Sequence, residues 1–300
     1  MKRILIFLTI LTMLTACKQE IPSALTPLPT LQLSMPTSTA TAALPLQPSP
    51  RVELTATPKA TAFPSPAPLQ AGVVSLIALG DSLTEGSGDE TGRGYPGRLI
   101  ELVNQIRPGS SMVNFGQSGW NSDAFIHGDQ GMLGQLPRAL DEIRIAKEQG
   151  RGVVALVWIG SNDLWYLYEY GGDISDEQEA QDLEHFSNNL DVILSQLRQA
   201  GAEVIIALLD DQSQRPIALR GEAFVEITPD ELSRMSLQVA RYNDIITQKA
   251  EQYGALTVDF YHTDIFTNPA TLYDDGNHPN PAGYDAIAQK WFEVLLTVLP

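Results

Sequence analysis

The sequence predicts an α/β fold, specifically a three-layer α/β/α sandwich around a five-stranded parallel sheet. After residue 70, five short apolar runs alternate with five longer segments of helical periodicity. The apolar runs are continuous rather than interrupted at every second position, which is typical of parallel strands covered by helices on both faces. The length of this part, residues 71–300, is ordinary for one domain, so we expect a single domain there.

The strands and helices of this domain follow one another along the chain. The runs predicted to be strands are 73–79, 111–115, 153–159, 203–209 and 255–260. The segments predicted to be helices are 95–107, 133–149, 179–200, 229–253 and 281–298. Gly254 is a typical residue for ending a helix, and Pro281 for beginning one. Ile287 and Trp291 on the last helix are expected to pack on the sheet and to hold the preceding loop in place.

Residues 1–17 are predicted to be a lipoprotein signal peptide. A basic start precedes an apolar stretch, 4–14, that is too short to cross a bilayer of about 30 Å as a permanent helix. The segment 14–17 resembles a bacterial lipobox, which implies cleavage before Cys17 and attachment of lipid to that residue. The alternative is an ordinary signal with an incidental cysteine. Cys17 is the only cysteine, so it cannot form a disulfide within the chain.

Residues 18–70 are predicted to form a disordered tether. They are dense in proline, serine and threonine, and they have no apolar period that could bury a face. Such a composition favours extended conformations of about 3.1 Å per residue. The signal and the tether together predict a protein of the bacterial cell envelope, lipid-anchored on the extracytoplasmic side of a membrane. The sequence leaves open which membrane of a two-membrane cell this is and whether the tether is glycosylated.

The domain is strongly acidic. The first 70 residues hold 5 of the 19 basic and 2 of the 36 acidic residues, which leaves 14 and 34, a formal charge of −20, for the rest. Such a surface repels nucleic acid and anionic lipid head groups. We therefore expect no nucleic-acid partner, and the lipid on Cys17 would supply the affinity for a membrane. The sequence does not indicate the oligomeric state.

The first predicted strand is followed by a candidate nucleophile. In Gly80-Asp81-Ser82-Leu83 a serine stands where the strand ends and a glycine-flanked turn begins. In α/β sheets, ligands bind in the crevice at these carboxyl ends. A serine hydroxyl becomes a useful nucleophile only when a base lies within hydrogen-bond reach and a third group orients that base. Asp81 and Ser82 could instead simply cap the following turn.

A segment near the other end of the chain offers the base. Of four histidines, only His278 lies in a loop rich in glycine, asparagine and proline with a carboxylate, Asp275, three residues earlier. On such a loop Asp275 can reach Nδ1 of the ring, which leaves Nε2 for Ser82. Asp274 is expected to cap or solvate the loop. Surface or structural roles are expected for the remaining histidines, His127, His185 and His262.

Two further strand ends offer hydrogen-bond donors. The segment Asn114–Gly119 follows the apolar start of the second strand, and Gly160–Asp163 follows the third strand. A glycine amide and an asparagine side-chain amide at such positions are suitable donors to a tetrahedral oxyanion, and the loss of one donor typically costs about 10²–10³ in turnover. Asp163 is expected to cap a loop rather than to take part in chemistry.

These four segments, in this order, resemble the motif blocks of the SGNH hydrolases, also called the GDSL esterase/lipase family. The resemblance covers most of the domain and aligns the catalytic triad with Ser82, Asp275 and His278. It aligns the oxyanion hole with the amides of Ser82 and Gly116 and the side chain of Asn162. It implies a serine hydrolase of esters or thioesters with a flavodoxin-like sandwich, and it implies that no metal or other cofactor is required.

Two other chemistries can be weighed against the same residues. Asp274, Asp275 and His278 could bind a metal, as in a fragment of a metallophosphatase. A hydrolytic metal centre needs several more His or Asp ligands, so we predict no metal site. The nucleophile elbow of α/β-hydrolases needs Gly-x-Ser-x-Gly, and Thr84 stands where the second glycine should be.

Two segments are candidates for the substrate pocket. Trp165, Tyr166 and Tyr168 follow Asn162 closely and could stack on a sugar ring or line an acyl slot. Core packing against the next helix is an equal alternative, because buried aromatic residues are common. Residues 210–228 form a predicted loop that is long enough to act as a lid. The sequence does not choose between an acetyl group and a long acyl chain.

We therefore expect an extracytoplasmic serine esterase that cleaves carboxylic esters through an acyl-enzyme, with acetylated glycans as the first candidate substrates. The alternatives are a lipid esterase, a lysophospholipase or a thioesterase of the same mechanism. A non-catalytic module that binds glycan or lipid at the cell surface is the alternative from a different class.

Overall fold

The computed structural model describes residues 63–64, 67–170, 173–221 and 227–299. The predicted signal peptide, Cys17 and most of the predicted tether lie outside these residues, so those predictions stay predictions. Among the described residues, the helices are all too short or too polar to cross a membrane.

A five-stranded parallel sheet forms the centre of the domain, in the order β2-β1-β3-β4-β5, which confirms the predicted fold. In the sheet, β2 lies on one side of β1, whereas β3, β4 and β5 lie in turn on the other side. The carboxyl ends of β1 and β3 therefore form a topological switch point, where ligands bind in such sheets. The strands are β1 Val74–Gly80, β2 Ser111–Asn114, β3 Gly152–Trp158, β4 Glu203–Leu208 and β5 Leu256–Asp259.

Helices cover both faces of the sheet. In the described part of the chain, and numbered in chain order, they are α1 Ser82–Glu85, α2 Gly94–Ile106, α3 Ser122–His127, α4 Gln135–Glu148, α5 Ser161–Tyr170, α6 Asp176–Gln199, α7 Pro216–Arg220, α8 Pro229–Tyr253 and α9 Pro281–Leu295. Helices α2 and α9 pack together on one face, and α4, α6 and α8 pack on the other. The longer helices α2, α4, α6, α8 and α9 are those that the sequence predicts. The shorter α1, α3, α5 and α7 were not predicted.

An aromatic cluster lies under the carboxyl end of β3. Trp158, the last residue of this strand, is fully buried and stacks on Phe260 with ring centroids 4.3 Å apart. Trp291 of α9 stacks on Tyr95 of α2 at 5.5 Å. Aromatic side chains bury more area than other residues, so this cluster fixes α9 against the sheet. Trp291 and Ile287, which were both predicted to pack there, are fully buried.

Some residues before residue 71 also make contacts with the domain. The Leu69 amide donates to a carbonyl that follows α9 (2.9 Å), and the Gln70 carbonyl accepts from an arginine side chain that follows α2 (2.7 Å). The Phe63 ring lies 5.5 Å from a tyrosine ring at the end of α8. The described residues of the predicted tether therefore pack on the domain.

We expect a chain that begins at residue 71 to be less stable than one that begins at residue 63. The loss of the Leu69 contacts and of the hydrogen bonds made by this segment should cost about 2 kcal/mol. For a domain of this size, that corresponds to a fall in Tm of about 4–8 °C, which calorimetry of the two chains measures. Leu69→Ala in the longer chain is the control and should produce part of the fall. Equal melting temperatures would contradict the packing described.

Candidate active site

Ser82 lies directly beyond the end of β1, as the first residue of α1. Asp81 caps this short helix, because its Oδ1 accepts a hydrogen bond from the Leu83 amide (2.9 Å). Leu83 is buried, whereas the side chain of Ser82 is half-buried. The turn thus holds the serine hydroxyl at the crevice of the switch point.

A glycine and a glutamine fix the end of β1 beneath the serine. Gly80 has a φ of +157°, and a Cβ at this position would lie 2.1 Å from the Trp158 carbonyl oxygen. Only glycine therefore lets β1 and β3 come this close. The side chain of Gln135 on α4 is buried beside Gly80. Its oxygen accepts a hydrogen bond from the Gly80 amide (2.7 Å), and its nitrogen donates one to the Gly80 carbonyl (2.6 Å). Gln135 was not predicted as a residue of the site.

The structure brings the three predicted triad residues into one hydrogen-bonded chain. His278 Nε2 lies 3.0 Å from Ser82 Oγ, and His278 Nδ1 lies 2.6 Å from Asp275 Oδ2. The loop that carries the acid and the base lies between β5 and α9. An antiparallel bridge between Leu272 and Pro279 closes this loop into a turn.

Asp275 is arranged to stay ionised. Its Oδ1 accepts from the amides of Asn277 (2.8 Å) and His278 (2.9 Å). Partial burial acts to raise the pKa of Asp275, but the hydrogen bonds from the His278 ring and from these amides outweigh it and lower the pKa to about 2. An ionised Asp275 accepts a hydrogen bond from Nδ1–H and so keeps the ring proton on Nδ1, and the neutral ring presents an unprotonated Nε2 to Ser82. A general base needs this tautomer.

Two of the predicted oxyanion donors face the cavity beside the triad. Asn162 lies at the start of α5 and lines this cavity. Its side-chain nitrogen donates one hydrogen to the Trp120 carbonyl (2.9 Å), which leaves the second hydrogen for another acceptor. The Ser82 amide has no acceptor among the described residues. Both groups are therefore able to bind a developing negative charge.

The structure does not place Gly116 in the role predicted for it. The Gly116 amide donates to Asn114 Oδ1 (2.9 Å), and the residue packs behind α1, where a Cβ would lie 2.2 Å from the Glu85 nitrogen. An asparagine that binds the amide two residues later forms an Asx turn, and this turn occupies the donor. Gly119 lines the cavity instead, and its amide has no acceptor among the described residues.

The cavity beside the triad has a volume of about 180 Å³. One wall is a face of α5, because Asn162, Trp165, Tyr166 and Glu169 follow helical spacing and all line the cavity. Trp165 and Tyr166, two of the residues predicted to contact a substrate, thus line the cavity. The Tyr166 hydroxyl donates to the Gly119 carbonyl (2.6 Å). Glu169, Arg215 and Asn277 also line the cavity, although none of them was predicted as a substrate-binding residue. Arg215 belongs to the loop 210–228, which was predicted as a candidate segment of the pocket.

Tyr168, the third predicted substrate residue, faces away from the cavity. Its ring is buried, and its hydroxyl donates to Glu179 of α6 (2.7 Å). Burial and this carboxylate hold the pKa of Tyr168 far above its usual range. The reason is the helical period, because Tyr168 lies about 200° around α5 from Tyr166. Tyr168 is therefore part of the packing between helices.

Two other carboxyl groups close to the site are buried. Burial raises the pKa of Asp81 to about 6, and its Oδ2 has no hydrogen-bond partner among the described residues. Burial raises the pKa of Asp163 to about 7, although this carboxyl accepts from the amide and the hydroxyl of Ser122 at the start of α3. Asp163 thus secures a helix end, in agreement with the capping role predicted for it.

Within the described ranges, no group of three or more His, Cys, Asp or Glu side chains is arranged to hold a metal ion. Asp274, one of the candidate ligands, is exposed. Two of the other histidines form surface pairs with carboxylates. His185 Nε2 lies 2.9 Å from Asp123, and His262 Nδ1 lies 2.7 Å from Asp259.

Comparison with known proteins identifies relatives of this sequence. A sequence model described as the GDSL-like Lipase/Acylhydrolase family matches residues 78–286. A multidomain esterase of Ruminococcus flavefaciens is 23% identical in a match that covers 74% of this chain and 28% of that protein. The uncharacterized protein YpmR of Bacillus subtilis strain 168 is 22% identical in a match that covers 74% of this chain and 81% of that protein. The chain therefore matches less than a third of the first relative.

Solved structures share the fold at low sequence identity. A lipase from a goat rumen metagenome has a TM-score of 0.53 and 18% identity, over 73% of this chain and 96% of that one. An alpha/beta hydrolase enzyme from the metagenome of Lake Arreo, Spain, has a TM-score of 0.51 and 20% identity, over 77% and 99%. A catalytic mutant of an acetylxylan esterase from Geobacillus stearothermophilus has a TM-score of 0.50 and 20% identity, over 75% and 94%. These likenesses establish the fold.

We expect Asp163→Asn to gain stability relative to the wild type as the pH rises. Burial raises the pKa of Asp163 in the folded state, so the protonated side chain stabilises the fold fully below the pKa of an unfolded aspartate, about 4. This stabilisation is lost as the pH rises towards about 7. Asparagine does not titrate, so its altered bonds with Ser122 cost a constant amount. Urea unfolding of both proteins at about pH 4.5, 6 and 7.5 measures the difference in free energy.

Asp89→Asn is the control, because Asp89 is also buried but its pKa is shifted the other way. Burial acts to raise the pKa of Asp89, yet hydrogen bonds from Arg98, Thr91 and Gly94 outweigh it and lower the pKa. Its contribution is present above about pH 4 and lost below, and Arg98 does not titrate in this range, so Asp89→Asn should cost a constant amount between about pH 4.5 and 7.5. A difference for Asp163→Asn that does not change with pH would contradict the prediction.

Proposed function

The chain belongs to the GDSL-like lipase/acylhydrolase family of ester-hydrolysing enzymes, and from this premise we propose that it is a serine esterase that acts outside the cytoplasm. The family match confirms the resemblance of its motifs. The observation that carries the proposal is the hydrogen-bonded chain from Ser82 through His278 to Asp275, with contacts of 3.0 and 2.6 Å. A nucleophile, a base and an orienting carboxylate in this arrangement activate a serine for attack.

In the proposed reaction Ser82 Oγ attacks the ester carbonyl while His278 Nε2 takes its proton. The amides of Ser82 and Gly119 and the side chain of Asn162 stabilise the negative charge on the carbonyl oxygen. The intermediate collapses, and the alcohol leaves with the proton that His278 held. Water then attacks the acyl-enzyme and gives a proton to His278. The acid is released as the bond to Ser82 Oγ breaks, and His278 passes its proton to that oxygen. Asp275 stabilises the imidazolium that forms in both halves.

The size of the cavity favours a short acyl group. Its volume of about 180 Å³ lies below the roughly 300–1,000 Å³ of pockets that enclose drug-sized ligands. Its lining includes the polar residues Asp81, Ser161 and Glu169. An acetyl group needs no more room than this, whereas a long acyl chain would extend out of the cavity. We therefore place acetyl esters first among the proposed substrates.

Two tyrosines favour a sugar as the alcohol part of the ester. Tyr166 lines the cavity, and its ring centroid lies 5.6 Å from that of Tyr170, which is 72% exposed. Exposed aromatic rings on a helix offer flat apolar faces to a ligand, and sugar rings carry complementary C–H faces. One protein of similar fold is an acetylxylan esterase, which adds acetylated xylan to the substrates to be tested.

Other ester substrates and a binding role are the alternatives. A lipid esterase, a lysophospholipase or a thioesterase would use the same steps on a different acyl compound. The acidic charge of the domain opposes the approach of phosphate-rich head groups, which favours glycan esters over phospholipids. A non-catalytic module would need no hydrogen bond between Ser82 and a histidine.

Hydrolysis of p-nitrophenyl acetate, butyrate, octanoate and palmitate tests the proposed activity. We expect the wild type to turn over the acetate fastest and Ser82→Ala to lose at least about 10⁴-fold in kcat, because the acyl-enzyme can no longer form. Ser118→Ala is the matched control, since Ser118 also lines the cavity but hydrogen-bonds to Glu85 rather than to a histidine. It should keep most of the activity.

A fluorophosphonate probe should label the wild type and Ser118→Ala but not Ser82→Ala, because only an activated serine reacts. Release of acetate from acetylated xylo-oligosaccharides tests the glycan part of the proposal separately. Fastest turnover of palmitate would identify a lipid esterase instead. A wild type that neither hydrolyses these esters nor reacts with the probe would overturn the esterase proposal in favour of the binding module.

We also propose that the chain is a lipoprotein held at the extracytoplasmic face of a bacterial membrane. The support comes from the sequence, in which a signal-like segment ends at Cys17 and a proline-rich tether follows, residues 18–70. A lipid on Cys17 would keep the acidic domain near the membrane without any contact between the domain and the lipid surface.

Metabolic labelling with a fatty-acid analogue in a bacterial host should label the wild-type chain and not Cys17→Ala, because the lipid is attached to this residue. The wild type should fractionate with membranes and should be released when the tether is cut with a protease, because the cut separates the domain from the lipid on Cys17. Lys18→Ala, next to the lipidation site, is the control and should be labelled. Equal labelling of the wild type and Cys17→Ala, or no labelling of either, would contradict the lipoprotein proposal.

A further inference from the structure

Arg215 is a buried cation just beyond the carboxyl end of β4. Its side chain is 2% exposed and lines the cavity. Its Nε and Nη2 donate to the two carboxylate oxygens of Asp210 (2.8 and 2.6 Å), and its Cζ lies 4.7 Å from the centre of the Phe266 ring. A forked pair of this kind fixes the plane of the guanidinium. The third nitrogen, Nη1, therefore points in a fixed direction.

Arg215 Nη1 donates to Asn277 Oδ1 (2.8 Å), on the loop that carries the acid and the base of the site. Asn277 directly precedes His278, and its own amide donates to the carboxylate of the triad. Next to this bond, the Ile217 amide donates to the Gly276 carbonyl (3.1 Å). The segment after β4 thus holds both residues that lie between the acid and the base.

The fit between the two segments is close. Gly276 has a φ of +70°, and a Cβ at this position would come within 3.0 Å of the Pro216 side chain and 3.2 Å of the Ile217 nitrogen. Residues 210–221 belong to the loop that was predicted to be long enough to act as a lid. They contain a 3₁₀ turn and α7, and they pack against the triad loop at Gly276. This part of the chain acts as a support for the loop.

Arg215 also balances several carboxyl groups at the strand ends. Burial opposes the charge on its side chain, but Asp210, Asp81 and Asp275 outweigh burial and raise the pKa of Arg215. A buried ion pair with Asp210 alone adds little to stability, because apolar side chains of similar volume often serve as well. The hydrogen bond from Arg215 Nη1 to Asn277 is separate from that ion pair, and it joins Arg215 to the residue next to His278.

We propose that Arg215 is a positioning residue for ester hydrolysis, which fixes the triad loop to the end of β4 through Asp210 and Asn277. The inference rests on the proposed esterase function. Catalysis depends on the distance between His278 and Ser82, and a displacement of about 1 Å can cost about 10²-fold in rate. Without the bond to Asn277, the loop keeps its internal hydrogen bonds but loses its fixed place above the serine.

Kinetics of Arg215→Lys and Asn277→Ala in the full-length chain test this, with p-nitrophenyl acetate as the substrate. Lysine keeps a cation beside Asp210 but cannot form the fork and the third bond together. Asn277→Ala removes only the third bond and leaves the ion pair intact. We expect kcat to fall by about 10–100-fold in both variants, with KM within about 3-fold, because the loop positions the base rather than the substrate.

Arg198→Lys is the matched control. The Arg198 side chain is also buried, at 6% exposed, and it pairs with Glu203 at the amino end of β4, the end opposite the site. We expect this variant to keep the wild-type kcat if the inference holds, even where its Tm falls. Wild-type kcat in Asn277→Ala, or an equal loss of kcat in Arg198→Lys, would overturn the inference.

A spectroscopic readout separates this inference from the esterase proposal. The Nε2 resonance of His278 reports its hydrogen bond to Ser82 by NMR of ¹⁵N-histidine-labelled protein, whether or not an ester is turned over. If the wild type hydrolyses nothing, the esterase proposal fails, and this resonance decides the role of Arg215. A shift or loss of the signal in Arg215→Lys but not in Arg198→Lys upholds the positioning role, and an unchanged signal overturns it.

Discussion

The hydrogen bond between Ser82 and His278 joins positions 196 residues apart, and it must span the sheet. Ser82 follows β1, whereas the loop of His278 follows β5, three strands away, which is about 14 Å at the usual strand spacing. The loop therefore crosses the ends of β4 and β3 before it reaches the serine. It is held on the way from two sides, by Arg215 at Asn277 and by the turn after α1, where a Cβ on Gly88 would lie 2.9 Å from the His278 Cβ.

Three aspartates near this contact differ in their surroundings because they differ in hydrogen-bond donors. Asp275 accepts three N–H groups, and its pKa falls to about 2, whereas Asp81 accepts one amide in a fully buried place, and burial raises its pKa to about 6. Asp210 is paired with Arg215. Of the three, Asp275 is the carboxylate in contact with the His278 ring, and its low pKa keeps it ionised, so it stabilises an imidazolium.

The strands, the long helices and the triad could be predicted because each leaves a local pattern, either an apolar run or a short motif at a strand end. The short helices α1, α3 and α7 hold too few residues for a period to show. The choice of Gly116 failed because two glycines lie in one segment, and only the turn made by Asn114 decides which amide is free. Arg215 lies in the loop 210–228 that the sequence predicts near the pocket, but its bond to Asn277 could not be predicted, because Asn277 lies 62 residues away and meets it only where the loop crosses β4.

The walls of the cavity bear on the acyl group that the enzyme can favour. A long chain gains about 0.8 kcal/mol for each methylene that it buries against apolar surface, and this gain requires apolar walls. Leu83 and Trp165 offer such surface here, but Asp81, Ser161 and Arg215 stand beside them, and the first two have buried oxygens without partners among the described residues. Methylenes placed beside these polar residues gain little of that free energy. A short acyl group needs little apolar wall, so the same polar wall that disfavours a fatty acid is compatible with an acetate.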